Sequence, residues 1–487
     1  MKWMWLWVVF IVVLTIRLVF AFSTPFFTSD EAYLHYRIIE SILQTGVPQW
    51  HDLLSWSGST LSVSPLFDYV LAAFVSPIMF KIIPNIFASL LVFPVFLLAR
   101  HFTGRYWISI ASALIASFVP AFFAKTFNHI STAALAIPLF FFLLYCWLRV
   151  PEKKFVYLFI AGIILFALLQ PSSLILILCL IIFTIISGIE RLKITIADLE
   201  LLLFSTGFVL WAQFILYKRA ILAHGLNIIW LNIPSDLLAA FFSRLSLFDV
   251  LWHIGFFPLI VGAYVLYRTV AGEKSRTSNL FLASTIVILL LLWFRFVELY
   301  FGLMILGVLL VIFFAKGVAM FQDFIKNTKF AKLERLFIVL ILLTAIFTSL
   351  IPSVFAARSE LNDTISAEQV AALTFLRNNA EDDAVIITPV LMGHYVPVYA
   401  KRSNVIDSMF LLHDDAEERF NDIERIYSSV LETEVVSIFD KYYATHVFVP
   451  YGSQSLVFDQ SDCFELIYDK HSRIYEKDPA CHLRVVR

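Results

Sequence analysis

Charge is scarce in this chain of 487 residues: Asp, Glu, Lys and Arg make up 15% of it, against 60% hydrophobic residues. There is no Gly-rich loop of the kind that cradles phosphates. Neither an HExxH helix nor a cysteine cluster points to zinc. No internal repeat is visible, which weighs against secondary transporters built from inverted repeats. The net charge of −1 identifies no partner, and nothing in the sequence calls for nucleic acid.

What is present is a series of apolar runs, and the mean hydropathy is +0.84. Each run is long enough to approach the ~30 Å of a hydrocarbon core. A soluble core would alternate polar and apolar faces, and "LILILCLIIFTII" does not. The expected class is a polytopic α-helical membrane protein of about eleven spans. These are 3–22, 86–99, 107–124, 132–148, 155–169, 172–188, 198–217, 250–267, 279–293, 297–314 and 336–355. The first stretch, "MKWMWLWVVFIVVLTIRLVFAF", is too long for a signal peptide and lacks a small-residue cleavage site, so it reads as a retained span. The apolar segment 64–83 is placed as a helix lying outside the bilayer.

With that placement, alternate loops carry the basic residues: Arg100 and Arg105; Arg149, Lys153 and Lys154; Arg191 and Lys193; Arg268, Lys274 and Arg276; then Lys316 to Arg335. The positive-inside rule then puts the N-terminus in the cytoplasm. Asp30, the 218–249 loop and the whole C-terminal tail then face outward. Residues 1–355 form the membrane domain, and from Ala356 to Arg487 the composition changes to that of a soluble α/β domain. There Ser366-x-x-Gln369 caps a helix. Strands are expected at 384–388, 395–400 and 445–450, with a charged helix at 414–432 and a final hairpin in "FELIYD" and "SRIYEKD". Cys463 and Cys481 lie in this domain, and their pairing is left open by the sequence.

Polar groups recur at the outward ends of spans. "TSDEAYLHYR" opens the first outward segment with Thr28-Ser29-Asp30-Glu31, a capping-box pattern that puts Asp30 at the positive end of a helix. "AKTFNHIST" supplies Lys125, Asn128 and His129. "SRLSLFDVLWH" supplies Arg244, Ser246, Asp249 and His253, and "LLWFRFVELYFG" supplies Arg295 and Glu298. Ionisable residues this close to a bilayer are costly and often functional. Each also has a bland reading: Asp249 caps a span, His129 is interfacial, and Arg295 snorkels or pairs with Glu298.

These stretches together resemble the GT-C membrane glycosyltransferases, most of all the catalytic subunit of oligosaccharyltransferase and its archaeal and bacterial single-chain relatives. "SDEAYLHYRIIESILQTG" looks like their first external loop, where an Asp before an aromatic-rich helix is catalytic. "WFRFVELYFG" resembles their arginine-phenylalanine span. "VLMGHYVPVYAKRSNVIDSMF" looks like the region of their W-W-D-Y-G motif, and Ser246-x-x-Asp249 looks like S-V-x-E with Asp for Glu. Two motifs are degenerate: the second acidic motif has become Phe127-Asn128-His129-Ile130, and W-W-D-Y-G has become Val390 to His394. The Asp30-Glu31 pair is closer to the related protein O-mannosyltransferase type, whose members often need no metal.

The resemblance implies a sugar or oligosaccharide transferred from a polyprenyl- or dolichyl-phosphate or -diphosphate donor to a protein or glycan acceptor at the membrane's outer face. Asp30 is then the candidate general base, with Glu31 and Asp249 supporting it. Arg295, Arg244, Arg219 and Lys125 are the cations available to the leaving phosphate. Asn128, Gly393 and His394 are carried over as substrate-binding positions. If a divalent metal takes part, Asp30, His129 and Asp249 are its expected ligands, a set that suits Mn2+ better than Mg2+; a metal-independent reaction is the other expectation. A flippase of lipid-linked saccharides and a catalytically inactive oligosaccharyltransferase-like subunit are the rival readings of the same residues.

Overall fold

The computed structural model describes residues 2–61, 63–225, 246–272, 275–413, 415–452 and 456–482. It divides into two compact units. The first comprises Met1–Pro25, Val63–Lys218 and Ser243–Asn362; the second comprises Phe26–Ser62, Arg219–Phe242 and Asp363–Arg487.

The first unit is helical, and helix occupies every one of the eleven apolar segments. Among the described residues, six helices are long and apolar enough to cross a membrane, or seven if one bent pair is a single span. Tyr106–Ser117, Ala133–Leu148 and Ser173–Ile189 are apolar but shorter. The bend, 99° between Phe248–Ile254 and Phe256–Val270, falls at Gly255. Its φ of 102° is a conformation that only glycine adopts without strain.

The segment 64–83 does not lie outside as one helix. A short helix, Leu66–Ala72, is followed at Pro77 by a new one, and Pro77–Thr103 forms a candidate span that absorbs the segment's second half. Proline at the first helical turn favours a start there, since its missing N–H is not needed. Lys81 is thereby drawn inward, where its ammonium donates to the carbonyls of Ala21 (2.9 Å) and Thr24 (2.7 Å). The last long helix, Glu334–Asn362, runs beyond the composition change at 356.

The second unit is built from both ends of the chain. Its five-stranded sheet has the order β4-β3-β5-β7-β6, from Val385–Ile387 (β3), Ser403–Asn404 (β4), His446–Val449 (β5), Phe464–Asp469 (β6) and Arg473–Lys477 (β7). β3 pairs in parallel with β4 and β5; β5/β7 and β6/β7 are antiparallel. The early hairpin of His51–Asp52 (β1) and Ser59–Thr60 (β2) joins this body. The Trp56 N–H donates to the Asn404 carbonyl (2.8 Å) and the Asn404 N–H to that of Leu54 (2.9 Å), so the 26–62 segment extends the β4 edge.

Ile387, Ile423, Val435, Phe439, Val447 and Tyr475 form the core under the sheet. The expected cap holds: Ser366 and Gln369 form a reciprocal box at the start of Ala367–Asn379. So does the final hairpin, and Cys463 and Cys481 are disulfide-bonded.

Residues 395–400, expected as a strand, form instead one wide helical turn, Val396–Ala400, closed by Lys401 in the left-handed region (φ 53°). Helical spacing brings Tyr395 and Tyr399 onto one partner ring, Tyr33, with centroids 4.7 and 5.7 Å away. In a strand those two side chains would stand roughly 13 Å apart.

Candidate functional site

The helix Asp30–Thr45 positions the leading candidate. Ser29, in extended conformation, accepts the Ala32 N–H at 3.2 Å and is the cap. The sequence placed that role on Thr28 with Glu31 reaching back; the start is shifted by one residue. The third helical position is then Ala32, which has no carboxylate to close a box. Glu31 instead points outward, 62% exposed and 4.0 Å from the His35 ring. Gly46 ends the helix in the left-handed region.

The shift turns Asp30 inward as the first helical residue, with 5% of its surface exposed. Its Oδ1 accepts the His394 backbone N–H at 2.8 Å. Its Oδ2 has no hydrogen-bond partner among the described residues and lies 4.0 Å from His394 Nε2. The same Nε2 is 3.8 Å from Asp407 Oδ1, and among the described residues neither ring nitrogen of His394 has a hydrogen-bond partner. Burial pushes the Asp30 carboxyl above its ordinary pKa; His394 opposes the rise and Asp407 adds to it. A carboxylate so placed binds a proton more tightly than one in water does.

Neighbouring residues fix this geometry. A Cβ on Gly393 would collide with the Ile406 carbonyl and the Asp407 backbone, so a glycine is needed for the two segments to meet. Asp407 Oδ1 also accepts the Met409 N–H at 2.8 Å, which orients its carboxylate. On the helix, Arg37 forms a bidentate pair with buried Asp52 at 2.8 and 2.5 Å, tying the helix to β1. Tyr33 packs among Phe27, Tyr395 and Tyr399 and accepts the Phe27 N–H at 3.2 Å.

A separate cluster lies in the first unit. Lys125 Nζ is 2.6 Å from Glu360 Oε1 and stands over the Tyr300 ring at 4.6 Å. His129 Nε2 is 3.6 Å from Glu360 Oε2. The loop beneath is held by Arg17 in the first helix, which donates to Asn85 Oδ1 (3.0 Å) and Thr126 Oγ1 (2.6 Å) and packs on Phe122 and Phe123. Asn85 in turn donates to the Phe127 carbonyl. Asn128 is buried in this loop.

The remaining candidates are Asp249, Arg295, Arg219 and Arg244. Asp249 closes a capping box: its Oδ2 accepts from the Ser246 N–H and hydroxyl, both at 2.8 Å, so its carboxylate serves the helix start. Arg295 sits at φ 59° in the turn between Arg276–Trp293 and Leu299–Lys326, exposed with Glu298. Arg219 is exposed near the end of Ile196–His224. Arg244 lies outside the described residues. Sequence reasoning missed Asp407 and Glu360. The first stands unremarked in "NVIDSMF", and the second lies past the expected end of the last span, where nothing local signals a partner for Lys125.

Among the described residues, no group of three or more His, Cys, Asp or Glu could hold a metal ion. Asp249 is spent on its cap, and His129 faces Glu360. Two of the three expected donors are thus otherwise engaged, and the set does not fit a metal.

No protein-family model and no curated protein sequence matches the chain. Solved structures do. The oligosaccharyltransferase of Archaeoglobus fulgidus in complex with Zn and sulfate aligns with a TM-score of 0.65 at 15% identity, over 90% of this chain and 67% of that one. The archaeal oligosaccharyltransferase AglB of the same organism, in complex with an inhibitory peptide and a dolichol-phosphate, aligns at 0.65 and 14%, over 91% and 69%. ArnT from Cupriavidus metallidurans bound to undecaprenyl phosphate aligns at 0.57 and 10%, over 98% and 99%. This chain is an integral membrane protein with the fold of the GT-C glycosyltransferases.

Proposed function

We propose that this protein is a membrane glycosyltransferase. It takes a sugar or oligosaccharide from a polyprenyl- or dolichyl-phosphate or -diphosphate donor and passes it to a protein or glycan acceptor at the outer face of the membrane. The observation that carries this reading is Asp30: a buried carboxylate at a helix N-terminus, with one oxygen fixed by a backbone N–H and the other without a hydrogen-bond partner among the described residues. The structural neighbours, whose names speak of oligosaccharide transfer, dolichol-phosphate and undecaprenyl phosphate, support the donor class.

In this reaction the acceptor's heteroatom attacks the anomeric carbon and the bond from that carbon to the phosphate oxygen breaks. The bonding pair leaves on the phosphate, and the acceptor's proton passes to Asp30 Oδ2. The raised proton affinity of Asp30 suits that task. Lys125, which pairs with Glu360 and lies over Tyr300, is a proposed cation for the leaving phosphate, as are Arg295, Arg219 and Arg244. Eleven spans with a cytoplasmic N-terminus give the outward placement of Asp30. The Cys463–Cys481 disulfide agrees with an oxidising outer compartment.

The test is release of radiolabelled sugar from polyprenyl-phosphate and polyprenyl-diphosphate donors by the purified protein, with Mn2+, with Mg2+ and with EDTA. Release from either donor supports the reading, and the preference names its subclass. Donor binding without release favours a flippase or an inactive subunit and overturns it.

A further inference from the structure

We propose that the turn joining Leu299–Lys326 to Glu334–Asn362 is a binding site for an anionic phospholipid. One acyl chain lies in a cavity of the turn, and the phosphate rests against Lys329, Lys332 and Arg335. Both helices lie in candidate membrane spans, so the turn between them falls at a membrane boundary. A cavity of about 440 Å³ opens there. Phe321, Phe324 and Ile325 line it from the first helix, Lys329 and Phe330 from the turn, and Phe337 from the second helix. Phe324 and Phe330 are 66% and 60% exposed, so the cavity is edged by open apolar surface where the hydrocarbon ends.

Charge identifies the occupant. The carboxylates at this end are already engaged: Asp323 with Arg105 (2.5 Å) and Lys326 (3.7 Å), Glu334 with Lys326 (3.8 Å) and the Gln322 amide (2.6 Å). Lys329, Lys332 and Arg335 are exposed and form no ion pair among the described residues. Lys332 lies in the 3-10 turn Ala331–Leu333 and Arg335 in the first turn of the next helix, a spacing of three that puts both on one side. Three unneutralised cations at the mouth of an apolar cavity match a ligand with hydrocarbon at one end and a phosphate at the other. Under the positive-inside placement this end is cytoplasmic, and anionic lipids give that leaflet its negative surface potential. The site is also remote from Lys125. From Tyr300, the ring beneath Lys125, to Phe321 the same helix rises about 32 Å, the thickness of a hydrocarbon core. The lipid held here is therefore distinct from a donor whose phosphate meets Lys125.

The experiment equilibrates the full-length protein in detergent with radiolabelled phosphatidylglycerol, and separately with phosphatidylcholine of the same acyl chains, and measures lipid retained on the protein. Phosphatidylglycerol should bind saturably and at least tenfold more tightly than phosphatidylcholine. A basic residue beside anionic lipid contributes roughly fivefold in affinity, so the combined Lys329→Gln, Lys332→Gln and Arg335→Gln variant should weaken phosphatidylglycerol at least tenfold. Phe324→Ala keeps every charge and removes an exposed wall of the cavity, and it should weaken binding severalfold. Glycerol 3-phosphate, which has the phosphate without the chains, should not compete. Equal binding of the two phospholipids overturns the proposal and leaves the cations a role in topology alone. Binding that survives the triple substitution, or that ignores Phe324→Ala while yielding to glycerol 3-phosphate, overturns it as well. So does displacement of phosphatidylglycerol by an equal concentration of polyprenyl-phosphate, which would make the occupant the donor lipid. Should the triple variant fail to fold, the Phe324→Ala and competition results decide.

Discussion

Replacing Asp30 with Asn changes one proton-binding group and little else, so its effect on stability can be worked out from the site. The Asn side-chain oxygen can still accept the His394 N–H that Oδ1 now accepts at 2.8 Å. What disappears is the need to hold a charge in a buried place beside Asp407. The folded-state pKa of Asp30 lies above its unfolded value of 3.8. Below the unfolded value the carboxyl is protonated in both states and contributes nothing. As pH rises through the interval the unfolded chain ionises first, and stability is lost until the folded group ionises as well. Each tenfold displacement of that proton equilibrium is worth about 1.4 kcal/mol. The attraction of His394 offsets part of this, and the gain expected for Asp30→Asn at neutral pH is that of a typical single stabilising substitution, roughly 0.5–2 kcal/mol. In thermal unfolding of the detergent-purified protein this reads as a Tm rise of roughly 2–4 °C per kcal/mol. The rise should be present at pH 7.5 and shrink toward pH 4. A variant that is less stable at pH 7.5, or a difference that does not depend on pH, would refute the reasoning.

Four further substitutions probe the supports. Arg37→Ala strands the fully buried Asp52, and breaking a buried pair costs about 3–5 kcal/mol. Burial raises the Asp52 pKa, but Arg37 outweighs it and holds the group below its usual range. That contribution to stability is present above the unfolded pKa and lost as pH falls, so the variant's stability deficit should be largest near neutral pH and shrink toward acid in a denaturation series. Gly393→Ala forces a methyl against the Asp407 backbone and should cost about 1–3 kcal/mol while displacing the His394 N–H from Asp30. Its turnover should fall more than its Tm explains. Lys125→Met should lower kcat/KM for the donor roughly tenfold or more. Glu360→Gln should act in the same direction, and the double variant should fall short of the sum, because both act through one ammonium.

Asp30 was legible because its signal is local: an acidic pair where an apolar run stops, just inside a helix start. The same local reading put the cap one residue early, since Thr28 and Ser29 are equally good caps and only the turn geometry chooses between them. Asp249 was legible as a cap for the same reason, and that plain reading prevails. Asp407 and Glu360 were invisible because their partners come from remote parts of the chain. The same holds for the pairing of residues 54–56 with Asn404, which places the 26–62 segment with the C-terminal strands. "YVPVYA" alternates like a strand, yet the stacking of Tyr395 and Tyr399 on Tyr33 selects a helical turn. Tertiary contact decides such short segments, and periodicity alone does not.

The most direct measurement is sugar release and donor binding recorded together, on one preparation each of wild type and Asp30→Asn, with a radiolabelled polyprenyl-phosphate or -diphosphate saccharide. The account predicts that both proteins bind the donor alike and that only the wild type releases and transfers the sugar. Release by the Asp30→Asn protein at the wild-type rate would contradict it.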